Sequence, residues 1–581
     1  MNSDRRTLWL VALAALALRL AMLVGRGDYI VYDEGYYLLL ARSLRAGHGF
    51  ALNGLPHVAL SPLQPVLVAL LSFVGVPDLL ASRLLAAVCG ALLVVPVASL
   101  ARLAGGPRAA IPAAVFAAVS PALMSLVPFF PGETWNLYFG SEPLFLLFAF
   151  CAVAAAVRAQ SGGWRWWMAA GALAAAAYLT RLEGAILGAA LVLVLAARLA
   201  VRRADAASWR RLAATVAVGL AVAAPYLGYL HAALGRWALS GRVQAASAAG
   251  RDAPSALESA RTGGNVLAGF VWQGEPDAFL RALYGLDPSG TRMASQYWGV
   301  DGRAEAGAAA PPRASAAVGT GRPEAAVAPA APGSAVAPDT APVMARRSAL
   351  TVWRQGLAAV VPWWFGILAL VGLALGARSA LAWVLPLALC AVLPSLFAYV
   401  EPRSLLPLAP LAALYAGVAA GRLGEMLRQG RGPWLEGGPA AAVALALLWP
   451  GARDLIRAWP QMTPLQQVAA ARRSVGTYLA QHLPADAIVM SWHPAIAIWA
   501  QRPWRVLPYD TFERIATYAR DERAAAIVFS RFEPSPIRQP PRAFTIVLPG
   551  AGPVDGATVQ LEPVDETPLL FVGRLSGREG R

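Results

Sequence analysis

The sequence predicts an all-α polytopic membrane protein of about eleven transmembrane helices, followed by a small C-terminal α/β extracytoplasmic domain. Three observations predict it. The 581 residues are 57% hydrophobic and only 14% charged, whereas a soluble domain carries roughly 25% charged residues. Several apolar runs reach the roughly 18 residues that cross a bilayer core. The basic residues collect in short connections between those runs, as the positive-inside rule requires.

The first apolar run, residues 7–24, follows Arg5 and Arg6. No small-x-small cleavage site follows it, so it is expected to be a retained first helix rather than a signal peptide. Further spans are expected at 79–104, 108–128, 141–158, 164–180, 183–200, 211–231, 355–376, 379–397, 403–421 and 438–451. The run at 62–76 has only fifteen residues, with two prolines near its start. If it does not span, Arg102, Arg108, Arg158, Arg165, Arg202, Arg203, Arg210, Arg211, Arg378, Arg422, Arg428 and Arg431 all fall in cytoplasmic loops. Counting it as a span would flip the first of those loops. It therefore reads as an interfacial or re-entrant helix, with the N-terminus inside and the C-terminus outside.

This topology gives a membrane domain over 1–460 and an outer α/β domain over 461–581. The first outer loop, 25–78, holds two expected surface helices, 33–46 and 62–76. The long connection 232–354 includes an Ala/Pro/Gly-rich tract at 301–345 that is expected to be disordered. In the tail, AIVM (487–490), RVLPY (505–509), AAIVF (525–529), FTIVL (544–548) and LLFVG (569–573) read as short strands between helical stretches.

The net charge is +16, and all 49 basic residues are Arg. This looks like a codon bias, so a lone Arg is weak evidence of a site. Topology explains the basic excess better than a nucleic-acid partner does. Cys89, Cys151 and Cys390 all lie in apolar segments and imply no disulfide framework.

The chemistry is expected in the outer loops. The first begins DYIVYDEGYYLLLARSL, where Asp33 and Glu34 stand just past the first span. Such a pair can act as a general base or an electrostatic anchor, or simply favour a helix N-terminus. Tyr36 and Tyr37 follow at helical spacing, and His48 and His57 lie further along the loop as candidate substrate contacts. The second outer loop carries Glu133 and, at the mouth of the next span, Glu142, which is either a helix-start residue or part of the same cavity. Two more short loops pair Arg with Glu: LTRLEG, with Arg181 and Glu183, and YVEPRSLLPLAP, with Glu401 and Arg403. Arginine suits bidentate phosphate binding. Alternatively, each Arg pairs with its local Glu or snorkels to lipid headgroups.

YDEGYY with SPLQPVLVALL, SEPLF at the fourth span, LTRLEG and EPRSLLPLAP together resemble the GT-C superfamily of polyprenyl-phosphate-sugar glycosyltransferases. The likeness is to the bacterial branch related to protein O-mannosyltransferases and lipid A aminoarabinose transferases, and it covers residues 1 to about 425. The chain departs from that pattern at Arg403-Ser404, where many members show Arg-Tyr. It departs again at Ser61-Pro62 and Gln64-Pro65, where Pro-Pro is common.

The resemblance implies a sugar carried on a polyprenyl monophosphate and moved to a lipid, glycan or protein hydroxyl at the outer face of a bacterial inner membrane. Asp33 would be the general base, with Glu34 orienting the loop or the acceptor. Arg403 and Arg181 would hold the donor phosphate. Tyr36, Tyr37, His57, Glu133, Glu142 and Glu401 would contact substrate. No cofactor is required, although Asp33, Glu34 and Glu142 could hold a divalent ion as oligosaccharyltransferase relatives do. The competing readings are a lipid or glycan transporter or flippase, and a non-catalytic assembly or sensor protein. A transporter would be expected to show internal repeats and midplane charges.

Overall fold

The computed structural model describes residues 3–23, 29–30, 32–52, 55–58, 60–124, 126–128, 135–137, 140–241, 354, 356–358, 360–397, 405–429, 463–491, 493–507, 519, 522–530, 558–563 and 570–576. The chain is a mostly helical, multi-pass membrane protein. Its described helices are α1 (Ser3–Leu23), α2 (Tyr32–Arg45), α3 (Leu63–Phe73), α4 (Asp78–Leu92), α5 (Val94–Gly105), α6 (Ala110–Val119), α7 (Glu142–Ala159) and α8 (Trp164–Thr180). They continue as α9 (Glu183–Val201), α10 (Ala206–Leu234), α11 (Trp363–Leu375), α12 (Arg378–Phe397), α13 (Leu408–Gln429), α14 (Thr463–His482) and α15 (Ala495–Ala500). Among the described residues, α1, the α4–α5 run, α7, α9 and α10 are long and apolar enough to cross a membrane.

Prolines set the places where an apolar run does not become one straight helix. The expected span 79–104 breaks at Leu93, three residues before Pro96, which has no amide hydrogen to return to Leu92. The expected span 108–128 is helical only to Val119. Pro121 pushes Ser120 to extended geometry, with φ −60° and ψ 122°. A short 3-10 turn follows at Pro121–Met124, then β3 (Leu126–Pro128), which pairs with β4 (Trp135–Leu137). This hairpin replaces the last turns of the expected span. Helix α3 has 11 residues. At about 1.5 Å per residue it rises about 16 Å, roughly half a bilayer core.

The bundle interior is made largely of alanine. Ala101, Ala113, Ala152 and Ala413 are fully buried, as are Val94, Val97 and Phe150. Small side chains let membrane helices approach closely, and close packing rather than water exclusion holds them together. One cation sits in that interior. Arg19 donates to the carbonyls of Ala15, Ala118 and Leu123, so it caps the end of α6 where Pro121 leaves carbonyls without helical partners.

The C-terminal unit has a five-stranded sheet in the order β6-β5-β7-β9-β8. Its strands are β5 (Ile488–Ser491), β6 (Trp504–Val506), β7 (Ala524–Ser530), β8 (Thr558–Pro563) and β9 (Leu570–Ser576). β5 runs parallel to β6 and β7, and β9 is antiparallel to β7 and β8. Four of the expected strands coincide with β5, β6, β7 and β9. The fifth, 544–548, lies outside the described residues, as do the tract 301–345 and the expected span 438–451.

Candidate active site

Helix α2 is favoured by Asp33 and Glu34 in its first turn and by Arg42 and Arg45 in its last, which oppose the helix dipole at both ends. At about 100° per residue, Asp33 and Tyr37 share one face. Gly35, Leu38 and Arg42 share the opposite face, and Glu34 points between the two.

Those three directions meet three different neighbours. Glu34 is fully buried against α4, where Ser82 Oγ donates to its Oε1 at 3.4 Å and Arg83 Nε lies 3.7 Å from the same oxygen. Arg83 Nη2 also donates to the Tyr29 carbonyl at 2.9 Å, which ties down the entry to α2. The Tyr37 hydroxyl bonds Ser141 Oγ at 3.0 Å, at the start of α7. Burial pushes the Tyr37 phenol up to about 12. The carboxylates of Asp33 and Glu142 add to the rise, while Arg181 and the Ser141 hydrogen bond oppose it. Tyr37 is thus a neutral group within the fields of Asp33, Glu142 and Arg181.

Glu142 opens α7 and Glu183 opens α9, so each carboxylate sits at the positive end of a helix. Arg181 lies between α8 and α9 in extended geometry. Its Nη1 bonds Glu142 Oε1, while Nη2 and Nε reach Glu183 Oε1 at 2.8 and 3.3 Å. Both local and distant pairing therefore occur: one guanidinium joins two carboxylates that lie 41 residues apart in sequence. The tight turn depends on Gly184, where a Cβ would fall 2.1 Å from the Tyr178 amide nitrogen. Glu142, Arg181, Glu183, Cys390, Leu406 and Pro407 line a small cavity. Leu406 and Pro407 follow Arg403 closely in sequence.

The site residues expected from the sequence are therefore distributed as follows. Arg181 pairs with Glu142, and Tyr37 lies within the electrostatic reach of Asp33, Glu142 and Arg181. Glu34 is turned toward Arg83. Tyr36 is buried, with its ring edge-on to Trp504 at 5.4 Å. His57 is also buried. Its Nε2 accepts the Leu60 amide at 3.1 Å, and its ring meets Phe50 edge-on. The Tyr229 hydroxyl donates to the carbonyls of Phe50 and His57, so this group of residues folds the first loop onto α10. Glu133, Glu401 and Arg403 lie outside the described residues.

Arg83, Ser82 and Ser141 were not expected as site residues, and Glu183 was expected only as a local partner of Arg181. Arg83 carried a readable signal, being an arginine early in an apolar span. Among the described residues, no three His, Cys, Asp or Glu side chains converge as a metal site would need. Glu34 is turned toward Ser82 and Arg83 on α4, about 100° round the helix from Asp33.

Residues 60–229 match the family model described as dolichyl-phosphate-mannose-protein mannosyltransferase, which is less than a third of the chain. No curated protein matches the sequence. Among solved structures, ArnT from Cupriavidus metallidurans bound to undecaprenyl phosphate is similar at 15% identity and a TM-score of 0.50, with 97% of each chain covered. The Archaeoglobus fulgidus oligosaccharyltransferase in its apo form is similar at 14% identity and a TM-score of 0.52. That likeness covers 91% of this chain and 69% of the other. At such identities the likeness is one of fold. The chain thus has the GT-C membrane fold that its motifs suggest, and residues 60–229 are similar to the dolichyl-phosphate-mannose-protein mannosyltransferase family.

Proposed function

We propose that this chain is a membrane glycosyltransferase that moves a sugar from a polyprenyl-phosphate carrier to a hydroxyl acceptor at the outer membrane surface. The observation that carries this reading is the environment of Tyr37, which joins the Asp33 face of α2 to Glu142 and Arg181 at the mouths of three membrane helices. The family match over 60–229 and the undecaprenyl phosphate bound by the ArnT relative support the donor class. A transporter or flippase gains no comparable support.

In the proposed reaction Asp33 takes the proton of the acceptor hydroxyl. The freed oxygen forms a bond to the anomeric carbon as the bond from that carbon to the phosphate oxygen breaks. The electron pair leaves with the phosphate, and the configuration inverts. A phosphate leaving group needs no proton donor. Glu34, held by Arg83 and Ser82, orients α2. Arg403 faces the developing phosphate charge, and Arg181 fixes Glu142 and Glu183 around the cavity. Arg403 stands three positions before Leu406, a reach of about 11 Å at most between their Cα atoms. Glu133 and Glu401 are proposed to extend the acceptor side, while His57 and Tyr36 shape the site from behind. No metal is required.

The finer topology belongs to the same proposal. It comprises eleven spans over 1–460 with the N-terminus cytoplasmic, a bacterial inner-membrane location, and the unit 461–581 on the periplasmic side.

The test is sugar transfer by the purified protein in liposomes with a defined polyprenyl-phosphate sugar. Asp33→Asn should lower kcat by about 100-fold or more, and near-normal turnover would remove Asp33 as the base. Mass spectrometry of lipid-linked sugars and surface glycans in a deletion strain would name the donor that accumulates and the acceptor left unmodified.

A further inference from the structure

Nothing in the proposed reaction uses the C-terminal unit, yet that unit is packed against the helix that carries Asp33. The contact falls on the α2 face of Gly35, Leu38 and Arg42, opposite Asp33 and Tyr37, and reaches round one flank to Tyr36. A Cβ on Gly35 would lie 2.4 Å from Pro494 Cγ and 3.6 Å from Ile498 Cδ1, so only glycine permits the observed approach. Tyr36 meets the Trp504 ring edge-on. Arg42 Nη1 donates to the Ile498 carbonyl at 3.2 Å, while its Nε holds Asp78 Oδ2 at 2.9 Å. This one guanidinium therefore links α2, α4 and α15. Leu38, Ala495 and Ile498 complete a shared apolar cluster.

The C-terminal side of the contact is itself fixed. Trp504 is buried on β6, and its Nε1 donates to the carbonyl and the hydroxyl of Ser491 on β5. The same hydroxyl donates to the His493 carbonyl, and His493 Nδ1 accepts the Ala495 amide at the start of α15. Pro494 and Trp504 thus present rigid surfaces on which α2 rests.

We infer that the C-terminal α/β unit is a positioning element of the active site, and that Pro494, Ile498 and Trp504 act through α2 to set where Asp33 stands. Its kinetic consequence rests on the glycosyltransfer reading. A helix of fourteen residues held at the membrane surface is marginal without tertiary support. Here α4 supports one side and the C-terminal unit another, while Tyr37 meets the start of α7 on the side that carries Asp33. Loosening the second support should misplace the base without emptying the donor site, so kcat should fall while KM for the donor holds.

The experiment uses the full-length protein in liposomes and two readouts. Trp504→Ala should lower kcat about 10-fold or more with donor KM within about 2-fold, and Trp504→Phe should restore kcat to within about 3-fold of wild type. Hydrogen exchange of the amides in 32–45 should accelerate by about 10-fold in Trp504→Ala, while exchange in 142–201 stays at the wild-type rate. Gly35→Ala perturbs the same contact from the α2 side and should reproduce both effects if Trp504→Ala does not fold. Wild-type kcat and exchange in these variants would overturn the inference, as would faster exchange spread evenly over the bundle. A wild-type protein inactive with every polyprenyl-phosphate sugar would remove the glycosyltransfer reading. Even then, the exchange measurement would still decide whether the C-terminal unit holds α2.

Discussion

Replacing Arg83 by Met should damage the protein more than any surface substitution, and a second substitution should repair most of the damage. Arg83 and Glu34 are both almost completely buried, with 3.7 Å between Nε and Oε1. At that separation and an effective dielectric of about 20, their attraction is about 4–5 kcal/mol. Removing Arg83 leaves a buried carboxylate that has lost its cationic partner, with Ser82 still donating to it across 3.4 Å. Breaking such a pair from one side typically costs about 3–5 kcal/mol, whereas replacing both partners by apolar groups is often nearly neutral. Arg83→Met and Glu34→Met should therefore each cost about 3 kcal/mol or more, and the double variant should recover at least about 2 kcal/mol of the combined loss. The assay is a double-mutant cycle on reversible denaturation in mixed micelles. If Arg83→Met lies within about 1 kcal/mol of wild type, or if the two losses simply add, the pair does not fix α2. Glu34 would then be available for a direct role in the chemistry.

Two further predictions concern the turn at Arg181 and the surface on which α2 rests. Gly184→Ala would drive a methyl against the backbone of Tyr178, which cannot rotate away, so α8 and α9 must part. A cost of about 2–3 kcal/mol in thermal denaturation is expected, together with reduced turnover, because Arg181 and Glu183 sit in the same turn. Burial, and then the charge of Arg472, hold the His493 imidazolium well below its usual range. The unfolded chain therefore takes up this proton before the folded one does, so stability is full above about pH 6.5 and falls as the pH drops below it, by up to about 1.4 kcal/mol per pH unit. Protonation would also remove the acceptor that His493 Nδ1 offers to Ala495. A His493→Asn variant should show a flatter loss of thermal midpoint between pH 6.5 and 5, and an unchanged slope would place the acid sensitivity elsewhere.

The sequence carried the membrane helices and their approximate ends because an apolar run is a strong one-dimensional signal. Loop arginines set 62–76 apart from the spanning runs, and α3 is indeed only 11 residues long, while short polar clusters at helix mouths carried the pairing of Glu142 with Arg181. Other features depend on three-dimensional partners. The hairpin 126–137 begins inside an apolar run and declares itself only through Pro121. Strand β8 reads TVQLEP, whose polar residues hide its role at the sheet edge. Which of Asp33 and Glu34 is buried was not legible either: neighbours in sequence diverge by about 100° on a helix, and only α4 decides that it is Glu34. His57 looked like a ligand because it stood in a polar loop, and its structural role depends on Phe50 and Tyr229, the latter 172 residues away.

The charge balance of the site leads to the last prediction. Asp33, Glu34, Glu142 and Glu183 bring four carboxylates, while Arg83 and Arg181 bring two guanidiniums, each already engaged with a carboxylate. A sugar phosphodiester carries one negative charge, and the departing polyprenyl phosphate carries two. A carboxylate at about 6 Å would oppose each added charge by about 3 kcal/mol at an effective dielectric of about 20. A further cation where the phosphate leaves would offset that repulsion, and in the proposed arrangement Arg403 supplies it. Arg403→Leu should lower kcat by about 100- to 1,000-fold, the range seen when one donor to a developing oxyanion is removed. Arg403→Lys should recover part of that loss, since a point charge keeps the attraction but not the two-pronged geometry. Arg181→Lys should show the opposite pattern, losing thermal stability because one ammonium cannot span Glu142 and Glu183 in the same way. If Arg403→Leu turned over at wild-type rates with a defined donor, the phosphate would leave without the cation this account assigns to it, and this electrostatic account of the reaction would fail.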